Sequence, residues 1–182
     1  MNTDHLADLR HHIRAMETQA PMAPWRRSGS CAVGGLEMVG YGDNSDFILI
    51  LSSSGRGVFD AINGWKVARD LETYNEDESW FDFTRLQCLG IGPLEGQVVT
   101  MAGLWGGGLV RVSDDGFALQ AVAPTWPDFR VLLSPPRANI HNHLDQCVQV
   151  EEDYEIRAFG FSPTGKSFLV ALNHTLYTFI RD

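Results

Sequence analysis

An unbroken apolar run at residues 47–51, FILIL, sets the pattern of the chain. Five consecutive residues suited to a pleated, buried surface predict a strand. A polar, Gly-bearing stretch at residues 52–57 follows, and Val58 and Phe59 open a second short strand. Asn63-Gly64 predicts a tight hairpin turn, because both residues tolerate positive φ. Beyond it, Trp65 and Val67 alternate with Lys66 and Ala68 as a third strand.

The same reading extends along the rest of the chain. Leu6, Leu9, Ile13 and Met16 share one face at helical spacing, which predicts an amphipathic helix over residues 3–19, capped by Thr3 or Asp4 and stopped by Pro21 and Pro24. Such a helix covers a sheet edge or meets a second subunit. Residues 21–35 read as a surface connector with Trp25 packed down. Strands are expected at 36–41, 97–104, 109–112, 117–122, 129–133, 148–152, 154–161, 168–172 and 175–180, with turns at Asp114-Asp115-Gly116 and Ser162-Pro163-Thr164-Gly165. The expected fold is mainly β: an antiparallel meander or sandwich, or small propeller-like sheets, with one N-terminal amphipathic helix. The expected organisation is a single domain over 1–182, made of helix 3–19 and an antiparallel β domain over 36–182.

Three segments repeat a scheme of apolar strand, short polar or Gly turn, and short apolar strand, beginning at Ile48, Val98 and Phe168. Phe161-Ser162-Pro163-Thr164-Gly165-Lys166, with the strands on either side, resembles a blade of the WD40-like β-propellers. The resemblance covers about residues 156–182. The last strand ends Ile180-Arg181-Asp182 where that family has Trp-Asp. It implies a binding scaffold. At roughly 40–45 residues per blade the chain has room for about four, the lower limit for closing a propeller, so an open or sandwiched antiparallel sheet is an equal expectation.

The chain has 182 residues, 44% of them hydrophobic, enough to bury a sizeable core. Its formal net charge of −9 argues against nucleic acid and anionic membranes as partners, and permits a basic protein partner or simple solubility. Cys31, Cys88 and Cys147 are widely spaced and form no CxxC pair, which fits buried thiols in a reducing compartment. Acidic Asp4 and Asp8, and the lack of any run of about 18 apolar residues, lead to a cytoplasmic expectation.

Candidate chemistry is sparse. Residues 70–82 carry Asp70, Glu72, Glu76, Asp77, Glu78 and Asp82, interleaved with Tyr74, Trp80 and Phe81. The bland reading is a solvated loop. The spacing does not fit a calcium loop. The sharper reading is a docking patch for a protein partner using Glu72, Glu76, Asp77, Glu78, Trp80 and Asp82, since aromatic residues carry much of the energy at interfaces. A concrete form is an immunity- or inhibitor-like protein masking a basic toxin or enzyme.

A second constellation is His141, His143, Asp145 and Cys147. On a strand these share a face, and all are zinc-ligand types. That would make a zinc-dependent enzyme, with His174 as a further ligand; the bland reading is a polar loop. Residues 52–54 with His174 and Asp60 offer a hydrolase trio without a G-x-S-x-G elbow. Gly106-Gly107-Gly108 lacks the Lys-Ser/Thr of a phosphate loop. A structural subunit dimerising through helix 3–19 is the remaining alternative.

Overall fold

The computed structural model describes residues 6–71 and 80–181. Among the described residues it is mainly β, with one α-helix near the N-terminus and no closed barrel. The helix α1 (Ala7–Arg14) is shorter than the apolar spacing implies, and residues 1–5, with the expected caps Thr3 and Asp4, lie outside the described residues. Beyond Arg14 the backbone is claimed from elsewhere. Arg130 donates to the Met16 carbonyl, and the Gln19 N–H donates to the Gln149 carbonyl. The chain therefore leaves the helix and crosses a sheet. No helix among the described residues is long and apolar enough to cross a membrane.

The chain then lays down β1 (Trp25–Ala32), β2 (Leu36–Tyr41), β3 (Phe47–Ser52), β4 (Gly55–Asp60) and β5 (Trp65–Asp70). Short strands β6 (Phe81–Asp82), β7 (Gln87–Leu89), β8 (Val98–Thr100) and β9 (Ala102–Gly103) follow. The remainder is β10 (Ala118–Thr125), β11 (Asp128–Ser134), β12 (Val148–Asp153), β13 (Ile156–Phe161), β14 (Ser167–Leu172) and β15 (Thr175–Arg181). Pairing is antiparallel in four sheets among the described residues. The first is β5-β4-β3-β2-β9, the second β6-β7-β8, the third β10-β11-β12, and the fourth β1-β15-β14-β13.

The sheets stack in a row whose order follows from which side chains share a core. Along β3, Ile48 and Ile50 pack toward the fourth sheet with Leu169 and Leu176, whereas Leu49 and Leu51 pack toward the second with Cys88 and Val99. Along β14, Leu169 and Ala171 face the first sheet, and Phe168 and Val170 face the third. Strands alternate sides, so a strand buried on both faces reads as a continuous apolar run. That explains residues 47–51 and 168–172. The row is second, first, fourth, third. The outer face of the third sheet carries a small core in which Leu132, Ile140 and Cys147 are packed by Met16 and Leu144. Ile13 of α1 is buried at 3%. The outer face of the second sheet, by contrast, presents the cross-strand pair Leu89–Val98 at 43% and 49% exposure.

Two polar connections lock neighbouring sheets. Asp46, in the β2–β3 turn, accepts from Ser167 Oγ at 2.6 Å and from Thr164 Oγ1 at 2.7 Å; Ser167 Oγ also lies 3.3 Å from the Tyr41 hydroxyl oxygen. Burial pushes the Tyr41 hydroxyl well above its ordinary pKa. On the other side, Arg27 of β1 forms an ion pair with Glu151 of β12 while lying over the Tyr177 ring, 4.5 Å from its centroid.

Glu151 is 7% exposed, and burial pushes its pKa above the ordinary value of 4.5, with Arg27 pulling the other way. Between pH 4.5 and that raised value the folded protein holds a proton that the unfolded chain releases, so stability falls as pH rises through this window. Asp82 and Asp115, whose pKa values are lowered from 3.8, lose their stabilising contribution only on acidification below that window. Glu151→Gln should flatten the fall above pH 4.5 in urea unfolding measured at several pH values. The same slope in the variant would assign it to another group.

Three expectations change. Residues 21–35 are not a connector: residues 25–32 form β1, which pairs with β15 from Trp25↔Arg181 to Ala32↔Thr175, with a bulge after Arg27. The β region thus begins before residue 36. The expected strand 97–104 is two strands, β8 joining the second sheet and β9 the first. Residues 109–112 form no strand; Val110 and Val112 make single bridges to Phe161 and Ala118.

Candidate functional site

The acidic segment enters the second sheet. Glu72, Glu76, Asp77 and Glu78 lie outside the described residues. Trp80 does not stand out as an anchor: it is 6% exposed, in the core between the first and second sheets. The Arg56 guanidinium covers its ring at 4.2 Å from the centroid. Arg56, itself 7% exposed on β4, also pairs with Asp70 Oδ2 at 2.5 Å and donates to the Leu89 carbonyl at 3.1 Å. An arginine can be buried only if its charge and fork of donors are matched. Here they tie β4, β5 and β7 together. Desolvation beside this group pushes the Cys88 thiol up to about 11.

Asp82 holds a turn. Its carboxylate accepts the N–H groups of Thr84 and Arg85, each at 2.9 Å, and pairs with the Arg85 side chain at 3.1 Å. The Arg85 backbone N–H is the main reason its pKa lies below the ordinary range. The exposed apolar groups of this region are Leu89 and Val98 on the outer face, Leu104, and the aromatic pair Phe83 and Trp105, 43% and 38% exposed. Phe83 meets Phe81 edge-on at 4.5 Å and Trp105 at 5.1 Å. Alternation in the short strands assigns Cys88 and Val99 to the core, and hence Leu89 and Val98 to the opposite side.

The His141 segment is not a strand, so its candidate ligands do not share a face. The Asn139 side chain accepts the N–H groups of His141 and Asn142, and a 3-10 turn follows at Leu144–Gln146. His141, His143 and Asp145 are exposed, whereas Cys147 is buried, its Sγ 3.2 Å from Ser134 Oγ and 3.4 Å from the His143 carbonyl. Burial pushes that thiol up. His174 lies 3.9 Å from Asp153 instead. Among the described residues no group of three or more His, Cys, Asp or Glu is placed to hold a metal. What the segment does form, with Leu9, His12 and Met16, is an open cleft of about 520 Å³.

Ser52, Asp60 and His174 of the hydrolase candidates each face other partners. Ser52 Oγ donates to the Gly55 carbonyl, Asp60 accepts the N–H groups of Ile62 and Asn63 and the Asn63 amide, and His174 faces Asp153.

Sequence reasoning passed over the tip of the third sheet. There Trp126 is 80% and Tyr154 67% exposed. Trp126-Pro127, flanked by strands on both sides, was the available signal. Compared with family models, curated proteins and solved structures, the chain matches none.

Proposed function

We propose that this protein is a non-catalytic module that binds a basic protein partner through the second sheet and the acidic segment leading into it. The observation that carries the reading is the Leu89–Val98 pair, half-exposed on the outer face of a sheet whose other face is core. Phe83, Leu104 and Trp105 add exposed apolar surface in the same region. Such surface, bordered by charge, is the usual composition of a recognition patch. Glu72, Glu76, Asp77 and Glu78 precede this sheet in the sequence, and with the net charge of −9 they favour a basic partner. Trp80 and Asp82 hold the frame rather than touch the partner. An immunity- or inhibitor-like role, masking a basic toxin or enzyme, fits this chemistry. All three cysteines are free thiols, which suits the cytoplasm.

With the partner in hand, two variants test separate parts of the contact. Reversing charge at Glu76, Asp77 and Glu78 to Lys should slow association at least tenfold and remove its salt dependence, because such charges act mainly on encounter. Leu89→Asp with Val98→Asp should instead speed dissociation. Unchanged rates in both variants would end the proposal.

A further inference from the structure

The opposite end of the row carries a second surface, built from different residues. The β10–β11 hairpin pairs Thr125 with Asp128 around Trp126 and Pro127, and β11 pairs Phe129 with Asp153. Tyr154 follows directly. Asp128, Phe129, Arg130, Glu152, Asp153 and Tyr154 line a cleft of about 220 Å³, and Trp126 stands at the hairpin tip two positions from Asp128.

The cleft's own cation spends one end of its guanidinium inside the protein, although its buried Nε has no partner. Arg130 donates to the Met16 carbonyl at 2.8 Å and to Gln149 Oε1 at 2.6 Å, and pairs with Glu152 Oε2 at 3.1 Å. Asp128 makes no ion pair among the described residues. Asp153 uses Oδ1 to accept the Glu155 N–H at 2.8 Å and lies 3.9 Å from His174. The cleft thus holds the Asp128 carboxylate, which has no ion pair among the described residues, in one lining with the exposed Tyr154.

We infer that this cleft receives a cationic side chain, a guanidinium or alkylammonium, from an extended basic peptide whose flanking residues lie over Trp126. The volume is below the roughly 300–1,000 Å³ of pockets for drug-sized ligands and cofactors, but it admits one charged head group. Carboxylates draw the cation and aromatic faces hold it. Exposed Trp and Tyr are the residue types that dominate binding energy in contacts of this kind. The surface shares no residue with the second sheet, so either assignment can fail without the other.

The test is an amide-detected NMR titration of the full ¹⁵N-labelled chain with tetra-arginine and tetra-lysine peptides at constant ionic strength, with tetra-glutamate as control. Both basic peptides should shift the Asp128, Phe129, Asp153 and Tyr154 amides and the Trp126 indole, and tetra-glutamate should not. Asp128→Asn, which removes no hydrogen bond present in the structure, should weaken binding at least tenfold, and Tyr154→Ala severalfold. Shifts confined to the second sheet, shifts spread evenly over the acidic surface, or an unaltered affinity in Asp128→Asn would overturn the inference. The first of these outcomes would leave the second-sheet proposal standing.

Discussion

Phe168→Ala is expected to remove about 4 kcal/mol of folding stability, within the range of roughly 3–5 for deleting a buried aromatic ring. Phe168 is fully buried on β14. Its ring stacks on Phe179 with centroids 4.4 Å apart and meets Trp25 and Phe161 at 5.1 and 5.6 Å. Those neighbours come from β1, β13 and β15, and the cluster faces the third sheet, so the vacated space cannot close by moving one loop. For a chain of this size the loss should lower Tm by about 10 °C, at roughly 2–4 °C per kcal/mol. Urea unfolding reads it directly. Val67→Ala, on the half-exposed side of β5, is the control and should stay within about 0.5 kcal/mol. A loss below about 1.5 kcal/mol for Phe168→Ala would mean that the third and fourth sheets are not packed face to face through this ring.

Arg56→Ala should cost about 3 kcal/mol, because removing one partner of a buried pair strands the other, at roughly 3–5 kcal/mol. The lower end applies, since the Asp70 side chain keeps 27% of its surface in water. Lost with the guanidinium are the donor to the Leu89 carbonyl and the cover over Trp80. Arg56→Lys keeps the charge but not the planar fork, so it should recover only part of the loss. If Arg56→Ala unfolds at the same urea concentration as the native protein, the first and second sheets are held by apolar packing alone.

The parts of this fold legible in the sequence are those where burial and pattern coincide. Residues 47–51 and 168–172 are apolar throughout because both their faces are covered. Gly64 marks a real hairpin with φ of +76°, but the turn spans Ala61 to Gly64, because the Asp60 carboxylate caps the N–H groups of Ile62 and Asn63. Gly is required there for a second reason: a Cβ would lie 2.5 Å from the Ser28 carbonyl oxygen of β1.

What was not legible depends on partners distant along the chain. Trp25 to Ala32 is largely polar and bulged, as an outer strand should be, and its pairing with β15 spans almost the whole sequence. Arg56 reads as a loop residue until Asp70, Trp80 and Leu89 close around it. His141 to Cys147 alternates on paper, but the Asn139 side chain captures the backbone and bends it into turns. The candidate surfaces follow the same rule: charge could be counted, whereas the exposure of Leu89, Val98, Trp126 and Tyr154 is a property of the stacking order.

The central claim is that the second sheet is a binding face for a basic protein. The most direct measurement compares capture from the source cells by the native chain and by the Leu89→Asp, Val98→Asp variant, with retained proteins identified and quantified by mass spectrometry and the fold of both baits checked by circular dichroism. The account predicts one basic protein held near one to one by the native chain and lost from the folded variant. Recovery of the same protein in the same amount by both would contradict it.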